Sequence, residues 1–140
     1  MVLNPGAPSA FTNELVFVRV HPDVLVAAQT VPYSCPVVTP YSIGFTLNVN
    51  AGASALTLRQ IGLHATDVNG TVTQPVVISG DALAGRFGRT TVPRRGSAAY
   101  PLTYSYGCGR SVKLATLHAR IEAVDEGGES RVMTVEAPVQ

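Results

Sequence analysis

The sequence predicts an all-β fold of about seven antiparallel strands, and three observations lead to that prediction. Apolar side chains recur at every second position, as in residues 43–50, which is the period of a half-buried strand. Turn-forming Gly, Pro and Asn residues separate such segments at intervals of roughly 8–15 residues. No segment keeps the period of an amphipathic helix over several turns.

Seven segments carry the strand pattern, and their order is typical of an antiparallel immunoglobulin-like sandwich. The predicted strands are A (residues 15–20, with a kinked continuation to 28), B (43–50), C (56–67), D (72–79), E (97–106), F (113–124) and G (130–138).

Prolines and glycines predict local features of strands A, C and D. Pro22 kinks the continuation of strand A, and Pro75 marks strand D as an edge, because proline is tolerated at sheet edges. The apolar positions of strand C change parity close to Gly62, which predicts a β-bulge there. Asn69-Gly70 predicts the hairpin turn between strands C and D.

The second half of the chain contains an arginine-rich connection and the three strands E, F and G. Residues 80–95 contain several glycines and four arginines, and they predict a loop with a short extended piece. Strict alternation marks strand E, in which Tyr100, Tyr104 and Tyr106 share one face with Leu102. Strand F alternates likewise, and the turn before strand G contains two consecutive glycines.

Length and composition predict one domain, residues 15–140, preceded by an extended N-terminal arm, residues 1–14. The chain of 140 residues is 46% hydrophobic and 14% charged with a net charge of +1, which argues against intrinsic disorder. No apolar run approaches the roughly 20 residues that span a bilayer, so no membrane insertion is expected. The first residues do not have the pattern of a signal peptide.

The two cysteines predict a disulfide between Cys35 and Cys108. They precede strands B and F, which in an immunoglobulin-like sandwich run the same way in opposite sheets, so that their starts lie at one end. The alternatives are two buried free thiols, a catalytic thiol and a zinc site. A catalytic thiol would need an activating partner and a zinc site a suitable ligand spacing, and the sequence motifs supply neither.

Three stretches also resemble a known group of domains. SCPVVTPYSIGFTLNV, GRFGRTTVPRRGSAAYPLTYSYGCG and AVDEGGESR are similar to sequences of bacterial extracytoplasmic immunoglobulin-like domains, with a resemblance that covers about residues 16–139. The resemblance implies an extracellular, periplasmic or cell-surface location. The group that the chain resembles has no known catalytic residues.

Charge clusters provide the candidate binding residues. Arg86, Arg89, Arg94 and Arg95 form a candidate loop for a protein or anionic glycan partner. Nucleic acid is disfavoured, because the neighbouring tyrosines fall on the face of strand E that turns toward the core and not on a stacking surface.

An acidic turn provides a complementary candidate for self-association. Asp125, Glu126 and Glu129 in one copy are expected to meet the arginine loop of another copy in a head-to-tail contact. The alternative is that both sets of charges only keep the loops soluble.

The predicted function follows from these features. We expect a non-enzymatic structural or binding module of an extracellular or cell-surface protein that acts through surface loops. The alternative is a subunit of a self-assembling structure, such as a filament, a surface layer or a virion shell or its decoration. No motif for a catalytic site, a cofactor or a metal is apparent in the sequence, and none of these is expected.

Overall fold

The computed structural model describes residues 16–29, 41–72, 75–106 and 114–140, and strands make up most of these ranges. The strands are β1 (Phe17–His21), β2 (Ala27–Gln29), β3 (Tyr41–Asn50), β4 (Leu56–Asp67), β5 (Val76–Ser79), β6 (Thr91–Val92), β7 (Ser97–Tyr106), β8 (Leu114–Asp125) and β9 (Ser130–Pro138). One helix, α1 (Gly80–Phe87), connects β5 to β6 in the described part of the chain.

The strands form two antiparallel sheets, which confirms the predicted all-β class. In the first sheet β3 is central. Strand β7 pairs with one edge of β3, and β1 and β2 pair with different halves of its other edge. In the second sheet β4 and β8 are central, β9 flanks β8, and β5 and β6 pair with the outer side of β4. The predicted strand D, now β5, lies beside strand C and not beside strand E as in a constant-type immunoglobulin domain. The immunoglobulin-like order therefore stays a prediction.

A single apolar core lies between the sheets. Period-two alternation turns Leu47 and Tyr100 inward from the first sheet, and Ile61 and Ile121 inward from the second. Each of these side chains is fully buried, and burial of one of the aliphatic side chains contributes about 1.5–3 kcal/mol.

The predicted bulge in strand C is present, but it lies at a different residue. Leu58 and Gln60 pair with consecutive residues of β8, so Arg59 is the extra residue and the bulge precedes Gly62. The inserted residue explains the change of parity, because Leu58 and Ile61 both point into the core.

The hairpin after β4 is built on an aspartate. The Asp67 carboxylate oxygen Oδ1 accepts hydrogen bonds from the backbone N–H groups of Asn69, at 2.8 Å, and Thr71, at 2.9 Å. Gly70 has a φ of +82°, which glycine adopts without steric cost. The turn between β8 and β9 repeats this arrangement at Asp125.

The prediction of a loop over residues 80–95 is wrong for its first half, where α1 forms. Ser79 caps the helix, since its Oγ accepts a hydrogen bond from the Ala82 N–H at 3.1 Å. Gly88 ends the helix in the left-handed conformation, with a φ of +78°. The helix has eight residues and buries only Leu83 among them, so the sequence shows no repeated helical face. The short extended piece is confirmed as β6.

Strand A is divided into β1 and β2, as the kink at Pro22 predicts. Between them the chain reaches the second sheet, where the Leu25 N–H donates to the Pro138 carbonyl at 2.9 Å. The Gln140 N–H returns a hydrogen bond to the Leu25 carbonyl at 2.8 Å. The predicted N-terminal arm, residues 1–14, lies outside the described residues.

Candidate functional site

The four arginines of the predicted binding loop occupy two different places. Arg86 lies in the last turn of α1, and Arg89 follows the glycine that ends this helix. Arg94 and Arg95 lie in the turn between β6 and β7, where the Gly96 N–H donates to the Pro93 carbonyl at 3.0 Å. Arg95 adopts a left-handed φ of +52°, which is uncommon for a residue with a side chain.

Arg94 is bound to the acidic turn of its own chain. Its Nε donates to Glu126 Oε2 at 2.6 Å, and its Nη2 lies 2.5 Å from Glu126 Oε1. The Ala55 N–H also donates to Glu126 Oε2, at 2.8 Å, and Ser54 Oγ accepts from the Glu126 N–H at 3.0 Å. We call this cluster of Ser54, Ala55, Arg94 and Glu126 the end clamp, because it joins three connections between strands.

Electrostatics in the end clamp follow from these contacts. The Arg94 guanidinium, and then the Ala55 N–H, lower the pKa of Glu126 to about 2. Hydrogen bonding to Glu126 in turn raises the pKa of Arg94. Both groups therefore remain charged at neutral pH.

The other two acids of the predicted turn are also engaged within the chain. Arg131 Nη2 lies 3.0 Å from Asp125 Oδ2 and 3.2 Å from Glu129 Oε1. The backbone N–H of Glu129, and also the Arg131 side chain, lower the pKa of Asp125. A head-to-tail contact through Asp125, Glu126 and Glu129 would have to replace contacts that one chain already makes.

Arg86 and Arg89 differ from Arg94, because neither forms an ion pair with a carboxylate among the described residues. The Arg86 guanidinium lies over the Phe87 ring, 5.3 Å from its centroid. The positive charge of Arg89 acts on Tyr100 and opposes the rise in pKa that burial imposes on the tyrosine. Both arginines are exposed to solvent.

The helix end that carries these arginines is anchored in the core. Leu83 is fully buried, and the edge of Phe87 packs on the Tyr100 ring with centroids 5.3 Å apart. The expectation that Tyr100 and Tyr104 belong to the core is confirmed. The Tyr100 hydroxyl does not reach the rim, however, because it is buried and has no hydrogen-bond partner among the described residues.

A second polar group, which the sequence did not reveal, lies on the outer face of the second sheet. His64 on β4 and His118 on β8 are directly opposite, and their rings stack with centroids 4.5 Å apart and an interplanar angle of 5°. His118 Nδ1 is 3.0 Å from Glu136 Oε2, and His118 Nε2 is 3.2 Å from Thr66 Oγ1. Burial, and then the charge of His118, lower the pKa of His64.

The same face continues with a second polar row. Gln60 Nε2 donates to Glu122 Oε2 at 2.8 Å, and the Arg120 guanidinium binds the same carboxylate oxygen. No group of three or more His, Cys, Asp and Glu side chains in the described ranges is arranged to hold a metal ion.

Cys35 and Cys108 fall outside the described residues, so the disulfide stays a prediction. No helix in the described part of the chain is both long and apolar enough to cross a membrane. The alternation of strand F places His118 on the polar face, but only the pairing register between β4 and β8 brings His64 opposite to it.

Comparison with known proteins supports the all-β fold and assigns the chain to no family. No protein-family model and no curated protein matches the chain. A structural genomics target designated SoR45, solved by X-ray crystallography, is similar with a TM-score of 0.59 and 18% identity, covering 89% of this chain and 87% of that one.

Two more distant structures also match. A protein from Bordetella pertussis assigned provisionally as ApaA has a TM-score of 0.46 and 16% identity over 91% of both chains. The alkylpurine DNA glycosylase AlkC of Pseudomonas fluorescens, bound to DNA containing an abasic site analogue, has a TM-score of 0.37 and 12% identity. That match covers 89% of this chain and 30% of the glycosylase.

Proposed function

We propose that this chain is a non-enzymatic binding module of an extracellular or cell-surface protein, and that Arg86 and Arg89 bind an anionic partner. These two residues are called the arginine patch below. The proposal retains two of the four arginines of the predicted binding loop, because Arg94 is bound to Glu126 and Arg95 has interactions of its own. The predicted Cys35–Cys108 disulfide is the support for a location outside the reducing cytosol.

The distribution of ion pairs is the observation that carries this proposal. Five carboxylates of the second sheet and its last turn lie beside a basic side chain of the same sheet or of the end clamp. Four of them form ion pairs, Glu122 with Arg120, Asp125 and Glu129 with Arg131, and Glu126 with Arg94, and the fifth, Glu136, binds the His118 imidazole. Arg86 and Arg89 form no ion pair among the described residues and lie three positions apart in one connection, whereas Arg19 and Arg59, which are also without an ion pair there, lie singly on β1 and β4.

The chemistry of the patch defines the kind of partner. A guanidinium offers planar paired N–H donors, which fit the two oxygens of a carboxylate or a sulfate group. The anchoring of α1 through Leu83 and Phe87 holds the backbone of the patch in place before binding, which lowers the ordering cost of association. Carboxylates and sulfates occur on acidic protein surfaces and on anionic glycans, so the test includes one probe of each kind.

The test compares the wild-type chain with the double variant Arg86→Gln/Arg89→Gln. Binding to immobilised heparin and to immobilised polyglutamate is measured by surface plasmon resonance at several salt concentrations. We expect the wild type to bind one probe, with an affinity that falls as the salt concentration rises, because exposed charges are screened. The double variant should lose this binding, and the probe that binds identifies the class of partner.

The control variant Arg19→Gln/Arg59→Gln removes the same charge from β1 and β4, where neither arginine forms an ion pair among the described residues. If both double variants lose binding equally, the chain responds only to net charge and the arginine patch is not the site. Equal binding by the wild type and the patch variant would also contradict the proposal.

The edge of the second sheet favours the alternative function of self-assembly. In the described residues β5 pairs only with β4, and it exposes Val76 and Val77, the latter to 62%. An apolar edge strand without charges is a template for pairing with a second copy. Light scattering of the wild type and of Val77→Lys tests this, since only the wild type should associate. A wild type that stays monomeric at high concentration would rule out association through this edge.

A further inference from the structure

The outer face of the second sheet places three metal-compatible side chains in one row. His64 on β4 lies opposite His118 on β8, and His118 lies opposite Glu136 on β9. Opposite residues on neighbouring antiparallel strands hold their Cβ atoms about 4.5–5.5 Å apart. The backbone of three strands therefore sets the spacing of this row, and no loop conformation is involved.

The hydrogen bonds of His118 determine which of its nitrogens carries a lone pair. Glu136 Oε2, 3.0 Å from Nδ1, is a carboxylate oxygen and can only accept, so Nδ1 carries the proton. In the neutral ring Nε2 is then an acceptor, and Thr66 Oγ1 donates to it across 3.2 Å. A carboxylate that binds one ring nitrogen and so directs the other is the arrangement found behind metal-binding histidines.

We propose that His64 and His118 form a two-histidine site for a divalent transition metal ion that prefers imidazole ligands, such as Zn²⁺, Cu²⁺ or Ni²⁺. Glu136 is the positioning residue, which orients the ring of His118. Metal–nitrogen bonds of about 2.0–2.1 Å require the two coordinating nitrogens to approach one another more closely than the stacked centroids do. Because the stacked rings lie within 5° of parallel, their in-plane nitrogen lone pairs do not converge, and sharing an ion requires the partly exposed His64 ring to rotate out of the stack. The metal then replaces the hydrogen bond between Thr66 and His118.

The ligand count defines the kind of site. Because the described residues provide no arrangement of three or more ligands, water completes the coordination shell. Such a site is open and exchangeable, unlike a closed structural zinc site with four protein ligands. Imidazole ligands suit zinc, copper and nickel, whereas magnesium and calcium prefer oxygen ligands, so these last two ions should not bind.

The histidine content of the chain makes the test specific. The sequence contains three histidines, and the third, His21, lies on β1 in the other sheet. Calorimetric titration with Zn²⁺ is carried out without reductant and after alkylation of any free thiol, so that cysteine does not contribute. We expect one ion per chain for the wild type and for His21→Phe, and no saturable binding for His64→Phe or His118→Phe.

Glu136→Gln separates the positioning role from coordination. It keeps both imidazoles and should weaken Zn²⁺ binding by about 10–100-fold, the usual effect of removing an outer carboxylate. Electron paramagnetic resonance of the Cu²⁺ complex should show two coupled nitrogens in the wild type and in Glu136→Gln.

A measurement on the wild type alone guards against variants that fail to fold. Diethylpyrocarbonate modifies accessible histidines, and saturating Zn²⁺ should protect His64 and His118 while His21 remains reactive. The proposal is overturned if the wild type shows no saturable binding, if His64→Phe and His118→Phe bind like the wild type, or if Zn²⁺ protects only His21.

Discussion

Replacing Tyr100 with phenylalanine is expected to stabilise the chain. The Tyr100 ring is fully buried and packs against Phe87, and phenylalanine keeps these contacts. The hydroxyl oxygen is buried without a hydrogen-bond partner among the described residues. Burial also raises the pKa of Tyr100, although nearby Arg89 opposes this, so the neutral hydroxyl is the group that lacks a partner.

The magnitude follows from two opposing contributions. A buried hydroxyl that has lost its bonds to water without replacement costs about 1–3 kcal/mol in the folded state. Its removal leaves a void of roughly 10–15 Å³, and at about 24 cal/mol per Å³ this costs only about 0.3 kcal/mol. Tyr100→Phe should therefore raise the free energy of unfolding by about 1 kcal/mol and the Tm by roughly 3 °C.

Urea denaturation followed by circular dichroism measures this difference. Tyr104→Phe is the matched control, since Tyr104 is 2% exposed on the same strand and its hydroxyl is not among the buried groups without a partner. That variant should be neutral or less stable than the wild type. A loss of 1 kcal/mol or more in Tyr100→Phe would refute the reasoning, because it would show that the hydroxyl has a partner.

Other predictions concern different parts of the molecule. The pKa of Glu126 is lowered from 4.5 to about 2, so its contact with Arg94 should stabilise the fold above pH 4.5, and this contribution should fade as the pH falls toward 2. Denaturation of the wild type and Glu126→Gln at several pH values checks this, since their difference should shrink over that interval; a difference that grows on acidification would contradict it. Leu83→Ala should cost about 2–5 kcal/mol in the free energy of unfolding, whereas Leu83→Met should cost less than about 1.5 kcal/mol; equal losses would mean that α1 does not anchor in the core. Mass spectrometry without reductant should show the chain lighter by two hydrogens through Cys35–Cys108, and an unchanged mass would exclude the disulfide.

Periodicity was sufficient to predict strands C, E and G, whose bounds coincide with β4, β7 and β9. Strand E alternates strictly and strand C alternates on either side of its bulge, and turn residues lie next to the ends of these strands. The same criterion missed α1, because a helix with one buried residue, Leu83, has no repeating apolar face to detect. Its local signals were Ser79, Asp81 and Gly88, which are a cap, an acid in the first turn and a terminator.

The candidate sites show a different limit. Alternation tells which face of a strand a side chain occupies, but it does not give the register with the next strand. His64 and His118 were therefore visible as separate polar residues, and their stacking depends on pairings 54 positions apart in the sequence. The arginines were grouped by proximity along the chain, whereas the turn at Pro93 directs Arg94 to Glu126 and away from Arg86.

The end clamp has a consequence for the kinetics of unfolding. Glu126 joins Arg94, 32 positions away, to Ala55 and Ser54, 71 and 72 positions away. Contacts between such distant segments require the strands to be in place first, so we expect them to form after the folding transition state. Loss of the Glu126 carboxylate should then accelerate unfolding and leave the folding rate nearly unchanged. The clamp would thereby lengthen the lifetime of the folded state without affecting how quickly that state is reached.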